Sequence, residues 1–351
     1  MNNAKTIVIG AGLAGLTTAY LLQKKGIDVL VLEANDTVGG RIKTITGSTG
    51  VTVELGATWF GRQHPTLMQF LDELGLPTFR QHTKGISLFE TMSFVPPQKF
   101  EIPDSDEPSY RLVGGSSQLI QKLVKKIGSN AIQTNTQITL ITEKADQLEV
   151  TDASGTIYTA ATVIMTLAPN LAINTINYQP NLPKPLVELA NATHTWMGES
   201  IKFSVEYATP FWKDNQFSGA LFSHVGIITE MYDHSSFDNN HFALKGFLNG
   251  GTYVLTPEER EAKVIKQLSQ CFGVAAENYV AYHEKVWREE PLAFFPYEDL
   301  VMGHQNNGDP MYQESYLNNK LFFASSETAT ENPGYMDGAI VAAQTVTSKI
   351  K

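Results

Sequence analysis

The sequence predicts an α/β fold: a Rossmann-like nucleotide-binding domain joined to a discontinuous, strand-rich α+β domain. Three observations carry this. A short β-branched run opens the chain and leads straight into a glycine loop. Helical spacing follows the loop, and a second apolar strand follows the helix. Further on, short strand patterns gather between residues 137 and 166 and again between 200 and 250. The chain has 351 residues, enough for about two domains. Hydrophobic residues make up 42% and charged residues 18%, which excludes disordered, collagen-like and disulfide-scaffold classes.

Thr6-Ile7-Val8-Ile9 reads as a parallel strand buried on both faces. Gly10-Ala11-Gly12-Leu13-Ala14-Gly15 follows at once. Leu13 to Lys25 has helical spacing, with Leu16, Ala19, Tyr20 and Leu21 near one face, and Gly26 ends it. Asp28 to Leu32 is the second strand, with Glu33 at its end. The order strand, G-x-G-x-x-G, helix, strand, acid suits a dinucleotide. Gly10 permits a tight turn, Gly12 lets backbone N–H groups approach a pyrophosphate, and Gly15 lets helix and strand pack closely. The helix start at Leu13 and Ala14 offers partial positive charge to the phosphates. Glu33 is placed to accept from ribose hydroxyls.

Val38-Gly39-Gly40-Arg41 comes soon after. Its glycine pair and guanidinium meet the same pyrophosphate a second time. The segment resembles the G-G-R of many FAD oxidoreductases, which NAD dehydrogenases usually lack.

Later segments extend the likeness. Glu54-Leu55-Gly56-Ala57-Thr58-Trp59, Val113 to Leu119, Gln137-Ile138-Thr139, Met197 to Phe203 with Pro210-Phe211-Trp212, Trp287-Arg288-Glu289-Glu290, Phe322 to Thr330 and Gly334 to Ala339 occur in order. Together they resemble the flavin-containing amine oxidase (monoamine oxidase) family over most of the chain. The resemblance implies an FAD-binding domain of the glutathione-reductase type, formed by 1–80, 110–190 and 291–351. A shortened substrate domain is expected from 81–109 and 191–290. It also implies roles. Gly56, Ala57 and Thr58 lie beneath the isoalloxazine ring, the backbone at Ile138 meets adenine, and Trp287 packs against the flavin. Glu327 lies near the ribityl and phosphate atoms, and Met336 offers its backbone N–H to the pyrimidine end. Lys202 would hold a water near the reactive ring nitrogen and assist reaction with oxygen. Tyr335 would be one of two aromatic walls flanking the substrate amine, and Tyr297 falls where the second is expected. Phe294 or Phe295 could serve there instead.

The residues can be read without the resemblance. Gln137 to Thr142, Gln147 to Thr151, Thr156 to Tyr158 and Thr162 to Thr166 are strand patterns, with a hairpin turn at Ala153-Ser154-Gly155. Ser200–Tyr207, Gly226–Tyr232 and Phe242–Gly250 are strands of the second domain. In the first of these, alternation puts Lys202, Ser204 and Glu206 on one face and Ile201, Phe203, Val205 and Tyr207 on the other. Taken alone, a lysine on such a polar face reads as solvated. Thr256-Pro257-Glu258-Glu259 opens a helix that contains Cys271, a structural thiol on this reading. Lys320 to Ala324 is a strand pattern, and a helix follows from about Met336 to Ile350.

Three departures from the family stand out. Its long helical roof over the substrate is replaced by Gly85 to Tyr110, where Pro96, Pro97, Pro103 and Pro108 suggest a short loop. That leaves the site either more open or completed by a second copy in a homo-oligomer. The last motif lies close to residue 351, so the anchoring tail of mitochondrial members is not expected. Ala324-Ser325-Ser326 stands where the family usually has a glycine at one position, and a Cβ there would crowd a phosphate.

The expected activity is oxidation of an amine, a primary or aromatic monoamine, to the imine and aldehyde, with O2 reduced to H2O2. FAD is expected to be non-covalent, because Pro296 stands where monoamine oxidases carry their covalent cysteine. The alternatives are an FAD dehydrogenase or desaturase using another acceptor, and a flavin-binding protein without amine turnover. A polyamine would need acids lining the cavity, and the sequence places none. Acidic residues number 36 against 26 basic ones, a net charge of −10 that disfavours nucleic acid. No apolar run suits a membrane span, the scattered histidines form no metal motif, and the single cysteine fits a reducing, cytoplasmic setting.

Overall fold

The computed structural model describes residues 3–103 and 107–351. Residues 1–2 and 104–106, the latter within the expected 81–109 segment, lie outside the described residues. Strands Asn3–Ile9 and Val29–Leu32 pair in parallel, with Val8 opposite Val31. Alternate side chains enter different cores. Val8, Val29 and Val31 pack with Leu16, Leu119 and Ile340 of helices Leu13–Lys24, Ser117–Ile127 and Met336–Lys349. Ile7, Ile9, Leu30 and Leu32 join Ile141, Val150 and Leu186 in a second core. Burial on both faces explains the uninterrupted apolar runs. The first helix is buried throughout Leu13–Ala19, and Leu22 rather than Leu21 completes its buried side.

Among the described residues this first sheet has nine strands. Ile157–Met165 is a single strand where two were expected. Its start pairs antiparallel with Leu148–Asp152, its end pairs parallel with Leu321–Phe323, and Asn3–Ile9 runs along its other edge. Ala160 and Ala161 weaken the local β signal, but partners on both edges carry the strand through. The Ser154 and Thr156 N–H groups donate to Asp152 Oδ1 at 2.9 Å, closing the expected hairpin turn.

The second sheet runs in the order Tyr279–Val286, Ile201–Tyr207, Phe242–Leu248, Ile228–Asp233, Phe217–Ser223, Ile86–Glu90, Gln98–Glu101. It is antiparallel except between Phe217–Ser223 and Ile86–Glu90. Ile201, Phe203, Val205 and Tyr207 pack with Val264 and Leu268 of helix Pro257–Phe272. Thr256 and Glu259 start that helix with reciprocal side-chain-to-backbone hydrogen bonds.

The other face of Ile201–Tyr207 is not solvated: Lys202, Ser204 and Glu206 are all buried. Segment 47–58 covers it. Lys202 Nζ donates to the Gly56 carbonyl at 2.8 Å, and Glu206 accepts from the Ser48 and Thr49 N–H groups at 2.9 and 2.8 Å. Residues 85–110 also differ from the expected loop. Ile86–Glu90 and Gln98–Glu101 form an edge hairpin with Ile86 opposite Glu101, and Pro96 and Pro97 fall in its turn. An edge tolerates prolines there because the turn has no ladder to break.

Candidate active site

Both sheets contribute walls to one cavity of about 800 Å³. At one end lie Gly10, Gly12, Leu13, Ala14, Glu33, Gly39, Gly40 and Ile138. Gly15 sits behind this wall. A Cβ there would stand 1.9 Å from the Gly10 carbonyl oxygen, so only glycine lets helix and strand approach this closely. The two glycine segments meet. Gly39 N–H donates to the Ala11 carbonyl at 2.9 Å, and a Cβ on Gly40, at φ +56°, would lie 3.2 Å from Gly12 Cα. Helix Leu13–Lys24 has no side-chain cap at Gly12 and no acid in its first turn, which leaves its N–H groups for an anion. Glu33 accepts from Ala11 N–H at 2.6 Å and Asn35 N–H at 2.9 Å, which fixes the carboxylate while lone pairs remain. Backbone donors, a fixed acid and an open cradle fit a dinucleotide.

Arg41 lines the cavity, but its donors are engaged. It forms a two-point pair with Glu327 at 2.6 and 3.0 Å, and it also donates to Ser326 Oγ and the Trp196 carbonyl. Glu327 is fully buried behind the wall. Burial alone would raise its pKa, but Arg41 holds it below the ordinary carboxylate value. Glu327 therefore meets the cavity wall through its pair with Arg41 rather than by lining it. Ser326 lines the cavity, whereas Ser325 is buried with an unpartnered Oγ. Met336 opens helix Met336–Lys349 at the cavity wall, again without a side-chain cap.

At the other end, Ala57, Thr58, Lys202, Trp287 and Tyr335 share the wall. Gly56 presents its carbonyl to Lys202, and Trp287 Nε1 donates to the Leu55 carbonyl at 2.8 Å. Burial pushes the Lys202 ammonium down to about 8, against the attraction of Glu54. Beside it lies a residue the sequence reading missed, the fully buried Lys245. It bonds to Thr58 Oγ1 and stands 4.2 Å from the Trp59 ring centre. Burial and the charge of Lys202 push its pKa well below the ordinary lysine value. The available signal was a lone lysine in the apolar run Ala243-Leu244-Lys245-Gly246-Phe247.

Tyr335 is not faced by Tyr297. The Tyr297 hydroxyl accepts from Thr195 N–H at 2.6 Å, and its ring packs against His194 and Phe294, outside the cavity wall. Phe294 is buried against Tyr297, and neither it nor Phe295 is part of the cavity lining. Two rings lie beside Tyr335 in the wall: His64 at 5.2 Å and 40°, and Trp196 at 5.4 Å and 46°, which stacks on His304 at 3.9 Å. Trp196 directly precedes a motif that was noticed, but its place depends on a chain crossing. Trp59, Phe60, Phe247 and Glu230 also line the cavity, and the last two carry no motif in the sequence.

The fold and this site define a dinucleotide-dependent oxidoreductase. The family model described as flavin containing amine oxidoreductase matches residues 13–92 and 86–350, and the chain belongs to that family. Its cofactor is FAD, and its chemistry is amine oxidation. The probable flavin-containing monoamine oxidase A of Dictyostelium discoideum is 26% identical, covering 98% of this chain and 97% of that protein. That alignment runs over 449 positions against 351 residues here, so the relative carries segments without a counterpart in this chain. Human amine oxidase [flavin-containing] B is 23% identical over 99% of this chain and 86% of that protein. Among solved structures, a putrescine oxidase bound to putrescine superposes with a TM-score of 0.87, at 22% identity over 99% of both chains. Cyclohexylamine oxidase from Brevibacterium oxydans superposes with a TM-score of 0.87, at 20% identity over 99% of this chain and 98% of that one. No helix among the described residues is long and apolar enough to cross a membrane.

Proposed function

We propose that the chain oxidises a primary amine at the Lys202–Tyr335 end of the cavity and passes the electrons to oxygen. The amine loses two electrons and two protons to become an imine, which water converts to aldehyde and ammonia; O2 gains both pairs and leaves as H2O2. FAD, when bound, takes a hydride equivalent from the substrate carbon and hands the electrons on. On this reading the nine-stranded sheet belongs to the FAD-binding domain (1–80, 110–190, 291–351) and the seven-stranded sheet to the substrate domain (81–109, 191–290). Gly10, Gly12, Leu13, Ala14, Gly39 and Gly40 cradle the pyrophosphate, Arg41 braced by Glu327 lies beside it, and Glu33 and Ile138 hold the adenosine end. Attachment is non-covalent: Cys271 lies in helix Pro257–Phe272, away from the cavity wall.

Tyr335 and Trp196, in contact at 5.4 Å, form one aromatic wall that orients the amine laid against it. Tyr297 supports Trp196 from behind through the Thr195 backbone. Lys202 carries the reading. It is a buried amine at the wall, tied to the Gly56 carbonyl and titrating near 8, so it can hold a water and exchange a proton with it near neutral pH. The test is an anaerobic titration of the holoprotein with primary, secondary and aromatic amines, followed by visible absorbance. Loss of the flavin bands, then their return with stoichiometric H2O2 on adding air, is the expected result. Bleaching without peroxide would move the reading to a dehydrogenase, and no bleaching to a flavin-binding protein without turnover.

A further inference from the structure

We propose that Glu230 forms a subsite for a second cation, which makes the substrate a diamine or longer polyamine with a primary amine at its reacting end. The inference rests on the amine-oxidising reading above and specifies its substrate class. One row of the seven-stranded sheet crosses the cavity floor. Lys285 is opposite Lys202, Lys202 opposite Phe247, and Phe247 opposite Glu230, and all four line the cavity. Glu230 thus stands two strand spacings, roughly 10 Å, from Lys202.

The charges along this row are unevenly matched. Lys285 is paired with Glu290 at 2.7 Å. Among the described residues, Glu230 has no cation within ion-pair distance; its side chain accepts from the Tyr232 hydroxyl at 2.6 Å. That bond aims the carboxylate and leaves the second oxygen unengaged by the described residues. Phe247, Trp59 and Tyr232 pack into the same floor, with Trp59 5.3 Å from Tyr232 and 6.0 Å from Phe247. A half-buried carboxylate on an aromatic floor is electrostatically incomplete, and an ammonium completes it. A methylene chain crosses Phe247 and Trp59 at little cost in desolvation. A simple monoamine would lay its alkyl end against an unpaired charge instead. The sequence could not show this, because Glu230 reaches the cavity through sheet register.

The experiment compares kcat/KM for 1-aminobutane with that for diamines from 1,3-diaminopropane to 1,6-diaminohexane, in the wild type and in Glu230→Gln. Calorimetric titration with 1,4-diaminobutane gives binding independently of turnover. Glutamine keeps the volume and the acceptor for Tyr232, and flavin content together with thermal midpoint checks the fold. The expected result is a diamine preferred over the monoamine, with the diamine-to-monoamine ratio falling by roughly tenfold to a hundredfold in E230Q and calorimetric affinity falling in parallel. An equal or better monoamine, or a ratio unchanged in E230Q, overturns the subsite. If no amine turns over at all, the proposed activity fails, and calorimetry still decides the subsite: 1,4-diaminobutane held by the wild type and lost in E230Q supports it, and equal binding overturns it.

Discussion

Lys202→Met removes an ammonium that the fold buries at a cost. The Lys202 pKa falls from the ordinary 10.5 to about 8. At about 1.4 kcal/mol per tenfold change, holding it charged costs folding about 3 kcal/mol. Methionine is close in volume and adds no strain, but it removes one of the two donors to the Gly56 carbonyl, which keeps the Thr58 hydroxyl at 3.0 Å, a loss of about 1 kcal/mol. The variant should therefore be more stable than the wild type by about 2 kcal/mol at pH 7. The sign of the pH dependence follows from proton counts. Below pH 8 the lysine is charged in both states and the full cost is present; above 10.5 it is neutral in both and the cost is gone. Between these limits the unfolded chain binds more protons, so wild-type stability rises with pH. The gap to the variant should close across that window and then reverse slightly. Lys245 adds to the low-pH gain, because it loses the charge of Lys202. The assay is urea unfolding of both proteins at pH 7, 8.5 and 10, in saturating FAD so that cofactor binding does not enter the difference. A gap of the same size at pH 7 and 10 would refute the buried-base argument. Stopped-flow mixing of the reduced variant with oxygen should show reaction slowed by about a hundredfold while FAD stays bound; an unchanged rate would sink the role of Lys202 in oxygen reduction.

Gly15→Ala places a Cβ 1.9 Å from the Gly10 carbonyl oxygen, a backbone atom that cannot move without lifting the first helix off its strand. We expect purified G15A to be colourless or to lose FAD on gel filtration, with stability lower by about 3 kcal/mol or more; retained flavin would contradict the packing argument. Glu206→Gln tests the buried side of Ile201–Tyr207. Burial would raise the Glu206 carboxyl, but the Thr49 and Ser48 N–H groups, the Thr49 hydroxyl and His283 hold it below the ordinary 4.5. Its contribution is present above that value and lost as pH falls through the folded pKa. E206Q should therefore cost about 2 kcal/mol at neutral pH, and the deficit should shrink in acid urea titrations; a pH-independent deficit would count against it.

The nucleotide end of the site was legible because its logic is local. Strand, glycine turn, helix and acid lie within residues 6–33, and each residue's role follows from its neighbours. The reacting end is assembled from distant segments. Lys202 meets Gly56 across 146 positions, and Arg41 meets Glu327 across 286. Alternation told which residues of Ile201–Tyr207 share a face but not what covers that face, so Lys202 taken alone reads as solvated when segment 47–58 buries it with Ser204 and Glu206. Lys245 escaped notice for the related reason that nothing nearby in sequence marks it as lying beside Lys202. The aromatic wall shows the same limit: counting from Trp287 brings Tyr297 near the site, but chain path decides that Trp196 lies beside Tyr335.

The hairpin at 86–101 bears on how such a site can select its substrate. A cavity enclosed by a helical roof selects by shape, since walls on every side reject what does not fit. Here the described residues between 85 and 110 add two strands at one end of the sheet, and Tyr335 remains 36% exposed. An open cavity excludes little by volume. Discrimination must then come from groups fixed on the floor, where sheet hydrogen bonding holds them in register without help from above. The row Lys285, Lys202, Phe247, Glu230 has that property: a matched ion pair at one end, a buried amine, an aromatic ring, and an unmatched carboxylate at the other end. Charge placed at a fixed distance can measure the length of a flexible chain even where no roof confines it. If Glu230 holds a second cation, selection of the substrate rests on charge fixed in a rigid sheet as well as on enclosure.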